Sequence, residues 1–332
     1  MTGRIAPAHT LPAPTAGMHR AQRPTGVVMA LVVIALALGA QSIVTAIALV
    51  TQSFISAPPG GPRTSDFLAL MATRPGFLIS LLGFGAGLAT LWLWVRAKER
   101  RPFATLGLER RPEAGVQILR GLGVGLLMMA ACVAVPLGTG QATLSWAAPD
   151  AGALLFIGAM FFAFLLQGST EEILTRGFLT QAVARRFGLI IAIAVQAAVF
   201  MLMHGMNPGM GPLPIINLLL FAVFASCYSL ADGSLWGICA MHGIWNWAQG
   251  NLFGVAVSGQ SAADSVFTYT AGPGATPLLT GGAFGIEGSL VTTAVYLIAT
   301  ALALRTFRRR RAAAAPAAPT HAAPTPAAPG AP

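Results

Sequence analysis

Two adjacent glutamates, Glu171 and Glu172, lie inside one of the most apolar stretches of the chain. The chain has only 10 acidic residues, and an ionisable residue within an apolar span is costly and usually functional. Of its 5 histidines, His204 and His242 also lie in apolar stretches, whereas the others are near the chain ends. Carboxylates and imidazoles are the groups that acid–base hydrolysis uses.

The helical spacing separates the two glutamates. Glu172 and Arg176 are four residues apart, on one helical face and in the favoured order for an ion pair. Glu171 lies about 100° round the helix and does not face the arginine. We therefore predict that Arg176 neutralises Glu172, and that Glu171 is the general base with Glu172 as its structural partner.

A turn predicted at Phe187-Gly188 brings His204 to the depth of Glu171. Glu171 lies 16 residues before Phe187, and His204 lies 16 residues after Gly188. In an antiparallel helix pair both residues then lie about 24 Å from the turn, at a rise of about 1.5 Å per residue. The same arrangement predicts a very long fourth helix, with a kink, a strong tilt or a later start than Ala151.

His242 and Asn246 are four residues apart, so they share a face of a later helix. An imidazole and an amide can together donate hydrogen bonds to a developing oxyanion. Structural interpretations stay open at this point. A buried histidine can simply join two helices, and the two glutamates with Arg176 can form an ion-pair cluster without catalysis.

The composition predicts an all-α, polytopic membrane protein. The chain is 55% hydrophobic and only 9% charged, which is too apolar for an ordinary soluble domain. Its net charge of +10 resides in arginines at the ends of apolar runs, as topology signals do. We expect no nucleic-acid partner, because no basic patch is interleaved with aromatic residues. The three cysteines lie in apolar runs and are predicted to be buried hydrophobes.

We predict three regions: a disordered cytoplasmic arm (1–25), a transmembrane helical domain (26–305) with its catalytic core at about 100–305, and a basic, then Ala/Pro-rich disordered tail (306–332). A Gly/Ser/Ala-rich stretch, 251–286, is expected to be an external, mobile loop. The arginine distribution predicts a multi-pass protein of the cell membrane with both termini cytoplasmic. The eight predicted spans are about 27–50, 76–95, 115–137, from 151, 189–204, 213–231, 235–249 and 290–304.

Three motifs in this order resemble those of the CPBP family, which comprises CAAX proteases and bacteriocin-processing enzymes and is also called the Abi or type II CAAX prenyl endopeptidase family. Glu171-Glu172-Ile-Leu-Thr-Arg176 resembles its EExxxR motif. Phe200-Met-Leu-Met-His204 is similar to FxxxH, and His242-Gly-Ile-Trp-Asn246 is similar to HxxxN. Thr175 departs from the aromatic residue that is common before the arginine.

The resemblance implies a CAAX-protease-like helical bundle and an intramembrane endopeptidase. It assigns water activation to Glu171 and His204, and stabilisation of the oxyanion to His242 and Asn246. We also expect Arg176 and Phe200 to give the site structural support. Family members are often classed as metalloproteases. Glu171, His204 and His242 are the candidate ligands of an open zinc site, although we favour water activation without a metal.

The implied partners are the lipid bilayer and a membrane-associated peptide or protein, prenylated or not. Two other function classes stay open. A transporter or proton-coupled channel could use the same charges as a relay, and a catalytically silent membrane scaffold would not need them.

Overall fold

A computed structural model describes residues 11–56 and 67–313 and shows a helical bundle with one small sheet. The α-helices are α1 (Val27–Ser56), α2 (Phe67–Met71), α3 (Arg74–Leu82), α4 (Phe84–Trp94), α5 (Ala114–Gly138), α6 (Ala151–Glu172), α7 (Thr180–Phe187), α8 (Leu189–Met203), α9 (Pro212–Asp232), α10 (Trp236–Trp247), α11 (Pro277–Thr280) and α12 (Leu290–Ala313). Three π-helical segments, Val95–Glu99, Ile173–Leu179 and Ala248–Leu252, continue α4, α6 and α10. Short 3₁₀ turns occupy Gly17–Arg20, Phe103–Leu106, Gly282–Phe284 and Ile286–Gly288.

The all-α membrane fold is confirmed. Within the described residues, 6 helical stretches are long and apolar enough to cross a membrane. Of the eight predicted spans, the two not among these six are the shorter ones: α8 has 15 residues, and α10 has 12 with 5 more in its continuation, Ala248–Leu252. At about 1.5 Å per residue, α8 is about 22 Å long and falls short of a hydrocarbon core of about 30 Å. The six stretches are Val27–Ser56, Arg74–Glu99, Ala114–Gly138, Ala151–Phe187, Pro212–Asp232 and Leu290–Ala313.

The stretch 251–286 is more regular than its composition predicts. Strand β2 (Phe267–Ala271) pairs antiparallel with β1 (Ala142–Trp146), with Leu144 opposite Tyr269. A mobile loop is therefore the wrong description, because this stretch gains a strand partner from the connection between α5 and α6.

The amino-terminal arm also differs from the prediction. Residues 1–10 lie outside the described part, but residues 11–25 pack against the bundle, and Met18 is fully buried. Gln181 donates a hydrogen bond from Nε2 to the carbonyl oxygen of Pro14 at 2.7 Å. Apolar contact and a buried amide therefore fix a segment whose Pro/Ala/Thr composition favours disorder.

The carboxyl-terminal boundary is corrected in the same way. Helix α12 continues to Ala313, so residues 306–313 are helical, and residues 314–332 of the predicted tail lie outside the described part. Arginines in the last turn stabilise a helix because they complement the partial negative charge of its carboxyl end. Arg310 and Arg311 occupy that turn.

The fourth span is one continuous helical stretch, Ala151–Phe187, of 37 residues. The irregularity expected within it is the π-helical segment Ile173–Leu179, which directly follows the glutamates. Its wider turn is visible where the backbone N–H of Thr180 bonds the carbonyl of Thr175, five residues back. Such π-bulges often mark functional sites. The predicted turn is confirmed: α7 ends at Phe187, and Gly188 adopts a φ of 83° that favours glycine.

Two glycines let α6 and α10 touch backbone to backbone beside the glutamates. A Cβ added at Gly168 would lie 2.8 Å from the backbone nitrogen of Gly243. One added at Gly243 would lie 2.8 Å from Cα of Leu165. Small residues at such crossings allow helices to approach closely in a membrane. This contact brings His242, next to Gly243, within reach of the glutamates on α6.

Candidate active site

Glu171 lies between the two intramembrane histidines. Its Oε2 is 3.9 Å from Nε2 of His204 and 3.8 Å from Nε2 of His242. These separations are too long for direct hydrogen bonds. Oε2 is buried and has no hydrogen-bond partner among the described residues. The predicted approach of Glu171 and His204 is therefore observed, and His242 joins them.

The Nδ1 atoms of both histidines are held by acceptors. Nδ1 of His204 lies 2.9 Å from the carbonyl oxygen of Phe200, and Nδ1 of His242 lies 2.9 Å from Oε1 of Glu172. A carbonyl or an ionised carboxylate can only accept, so each Nδ1 carries the proton. In the neutral rings, each Nε2 is then an acceptor with its lone pair on the side of Glu171.

Glu172 and Arg176 form the predicted ion pair, which is fully buried. Nη1 of Arg176 donates to Oε1 of Glu172 at 3.0 Å. The guanidinium also stacks on aromatic rings, with its Cζ 4.4 Å from the centroid of Phe200 and 5.5 Å from that of Phe221. Phe221 packs edge-on against His242 as well. Phe200 thus has the predicted supporting position, and Phe221 is a supporting residue that the sequence reasoning missed.

Gln167 is the second residue that the sequence reasoning missed. Its Nε2 donates to Oε1 of Glu171 at 2.7 Å, and its Oε1 accepts from Nδ2 of Asn246 at 2.8 Å. Gln167 therefore connects the glutamate of α6 to the asparagine of α10. The sequence does contain an indication of this contact, because Gln167 precedes Glu171 by four residues in an otherwise apolar run, which places both on one helical face.

A cavity of about 370 Å³ lies in front of Glu171. Its polar lining near the glutamate consists of Gln167, His204, Asn207 and Asn246. His242 does not line it, and its Nδ1 is bonded to Glu172. The geometry thus separates His242 from Asn246, which were predicted to act together on an oxyanion, because the two residues of α10 face different partners on α6.

The wall opposite Glu171 comes from helices that the predicted catalytic core, 100–305, leaves out. Polar side chains of α1 and α3 face the cavity among apolar ones, and they include Gln41 and Ser80. Helices that precede the predicted core therefore also line the cavity. These wall residues are Leu38, Gln41, Ser42, Thr45, Met71, Phe77, Ser80, Leu81 and Phe84.

The three candidate zinc ligands do not fit a zinc ion as placed. Ligand atoms of a tetrahedral zinc site lie about 3.3 Å from each other, given metal–ligand distances of about 2.0 Å. The separations of 3.8 and 3.9 Å from Oε2 of Glu171 to the two Nε2 atoms are wider. No group of three or more His, Cys, Asp or Glu residues in the described ranges is arranged to hold a metal.

Comparison with known proteins supports the resemblance drawn from the motifs. Residues 153–248 match the family model described as Type II CAAX prenyl endopeptidase Rce1-like. No curated protein and no solved structure matches the chain. The matched segment runs from α6 to the end of α10 and contains all of the motif residues. The segment that carries the site therefore belongs to the CAAX/CPBP protease family.

Proposed function

We propose that this membrane protein is an intramembrane endopeptidase that hydrolyses a peptide bond with water activated by Glu171 and His204. One observation carries the proposal: the buried, unpartnered Oε2 of Glu171 faces two acceptor nitrogens at 3.8 and 3.9 Å. One water molecule placed about 2.8 Å from Oε2 of Glu171 and from Nε2 of His204 bridges their separation of 3.9 Å and donates one hydrogen to each.

The first step is attack of this water on the substrate carbonyl carbon. The water oxygen forms the new C–O bond while Oε2 of Glu171 accepts a proton, with Nε2 of His204 as the second acceptor. The carbonyl π electrons move to oxygen and give a tetrahedral oxyanion. Gln167 holds Oε1 of Glu171, so that Oε2 is the oxygen free for this exchange.

Asn246 is the amide donor to the oxyanion. One N–H of its Nδ2 is used by Gln167, and the other remains for the substrate. His242 can donate from Nε2 only as an imidazolium, because its Nδ1–H is bound to Glu172. In the second step the C–N bond breaks, and the proton held by Glu171 or His204 passes to the leaving amine.

Glu172 and Arg176 hold this arrangement without touching the substrate. Arg176 neutralises Glu172, and Glu172 in turn fixes His242. A buried, hydrogen-bonded network of this kind defines side-chain positions sharply.

The test is hydrolysis of a membrane-presented peptide by the purified full-length chain. Glu171→Gln and His204→Ala should each lower the rate by at least about 100-fold, within the usual range for a lost acid–base group. Phe162→Ala, at an exposed position of α6, is the matched control and should keep the rate. Unchanged hydrolysis in both site variants would exclude the mechanism. Ion flux in liposomes that depends on Glu171 would instead support a transporter.

A further inference from the structure

Loops at one end of the bundle form the outer wall of the cavity. Asn207 lies between α8 and α9, and Ser258 and Gln260 lie between α10 and α12. All three are partly exposed. Because consecutive long helices run in opposite directions, the connection between β1 and α6 is at this same end. We name it the cavity end, and it contains 139–150, 204–211 and 253–289.

The other end of the bundle is closed beneath the site. Met18 of the arm, Leu106 and Leu235 are fully buried there. Arg101 is buried with them, and it donates to Glu99 at 2.7 Å and to Gln181 at 2.6 Å. A substrate therefore has a route to Glu171 from the cavity end and meets packed side chains at the other.

The charges differ sharply between the two ends. Among the described residues, Arg74 at the start of α3 is the single lysine or arginine beside the cavity end, and it pairs with Asp264 of that end at 2.6 Å. The acidic residues of this end also include Asp150 and Glu287. The opposite end, which we name the arginine-rich end, contains Arg20, Arg23, Arg96, Lys98, Arg100, Arg101, Arg110, Arg111, Arg120, Arg185, Arg186, Arg305, Arg308, Arg309, Arg310 and Arg311.

Loops rich in lysine and arginine stay on the cytoplasmic side of a membrane. The arginine-rich end is then cytoplasmic, and the cavity end faces the other side. We infer that the site receives polypeptide substrates from the extracytoplasmic side, so that its substrate class is the outer segment of an exported or membrane-anchored polypeptide. The identification of a substrate rests on the proposed function, whereas the orientation does not.

The cavity wall contributed by α1 suits an extended polypeptide. Oε1 of Gln41 is buried and has no hydrogen-bond partner among the described residues. Gln41 lines the cavity with Ser42, Thr45 and Ser80, opposite Glu171. A peptide backbone offers N–H donors for such an acceptor, whereas a purely lipidic occupant would leave it unsatisfied.

Single-cysteine labelling of the full-length chain in intact cells tests the orientation. Met206→Cys places a thiol at the cavity end, where Met206 is 99% exposed, and Ala312→Cys places one at the exposed carboxyl end of α12. The three native cysteines are buried, so the parent chain gives the background. A membrane-impermeant maleimide should label Met206→Cys in intact cells and Ala312→Cys only after permeabilisation. Any other pattern overturns the orientation.

Blocking the cavity tests the route of the substrate. Gln260→Cys, modified from outside with a bulky impermeant maleimide, should reduce hydrolysis of the membrane-presented peptide more than tenfold. Ala312→Cys, modified with the same reagent after permeabilisation, should keep the unmodified rate. Full activity of modified Gln260→Cys would overturn entry from this end. A parent chain that hydrolyses nothing would count against the proposed function and leave the labelling result on orientation intact.

Discussion

Nδ1 of His242 lies 2.9 Å from Oε1 of Glu172, a hydrogen bond that joins α10 to α6 across 70 residues of sequence. The same oxygen accepts from Arg176. Glu172 therefore connects the buried guanidinium of Arg176 to the imidazole of His242, which faces Glu171. The two adjacent glutamates have different tasks, because Oε1 of Glu172 is held by Arg176 and His242, whereas Oε2 of Glu171 faces Nε2 of both histidines.

Replacing each glutamate by glutamine should separate these tasks. Glu172→Gln leaves the Arg176 charge uncompensated, and breaking a buried pair costs about 3–5 kcal/mol, so thermal unfolding in detergent should shift clearly downward. Glu171→Gln should abolish hydrolysis with little change in the unfolding temperature, because a glutamine oxygen can still accept from Gln167. Equal stability losses in both variants would contradict this division.

A double substitution checks the same pair from the opposite direction. Glu172→Leu with Arg176→Met removes both charges, and exchanging a buried ion pair for apolar residues is often neutral or stabilising. The double variant should therefore unfold at a higher temperature than Glu172→Gln, yet stay inactive because His242 has lost its acceptor.

Gln167 is expected to position Glu171 and Asn246. Gln167→Leu removes both of its hydrogen bonds and leaves two buried polar groups without partners, at about 1–3 kcal/mol each. We expect kcat to fall about 100-fold or more, with a smaller change in KM and a shifted pH profile of kcat. Thr170→Val, a buried and nearly isosteric change one residue before Glu171, should alter neither kcat nor its pH profile. A purely structural Gln167 would lower the yield of folded protein and leave the pH profile unchanged.

Local helix geometry explains which parts of the site could be predicted. The four-residue spacing placed Glu172 beside Arg176, and equal offsets about Phe187-Gly188 placed His204 beside Glu171. Both relations depend only on the regular rise and turn of helices near one another in sequence. They required no knowledge of how distant helices pack.

The remaining parts depend on rotation and contact between distant helices. The role of His242 depends on which of its ring nitrogens faces Glu172. The rotation of α10 about its axis determines this, and the sequence does not give that rotation. The cavity wall from α1 could not be inferred, because the spacing of polar residues along α1 does not indicate that this helix lies near α6. The arm was misjudged since burial of Met18 outweighs a composition that favours disorder.

Metal removal should leave the reaction intact. The separations around Oε2 of Glu171 suit a water molecule better than a zinc ion. Purified protein should contain no stoichiometric metal, and hydrolysis should persist after treatment with a chelator. One zinc per chain, together with activity that a chelator abolishes and zinc restores, would contradict water activation without a metal.

The close contact of α6 and α10 should be sensitive to a single methyl group. Gly243→Ala and Gly168→Ala place a Cβ 2.8 Å from backbone atoms of the facing helix. Overpacking of this kind costs about 1–3 kcal/mol. It should also lengthen the bond between His242 and Glu172 and lower the rate of hydrolysis. Gly158→Ala is the matched control on α6, since its Cβ meets nothing within 4 Å, and it should be neutral or slightly stabilising.

The packed arm can be tested with two substitutions of the same type. Met18→Ala removes a fully buried side chain at the arginine-rich end and should cost about 2–5 kcal/mol. Met206→Ala changes a methionine that is 99% exposed and should leave the unfolding temperature unchanged in detergent. Because Met18 lies far from Glu171 along the bundle, its substitution should reduce stability before it reduces kcat. Equal unfolding temperatures for the two variants would show that the arm does not stabilise the bundle through Met18.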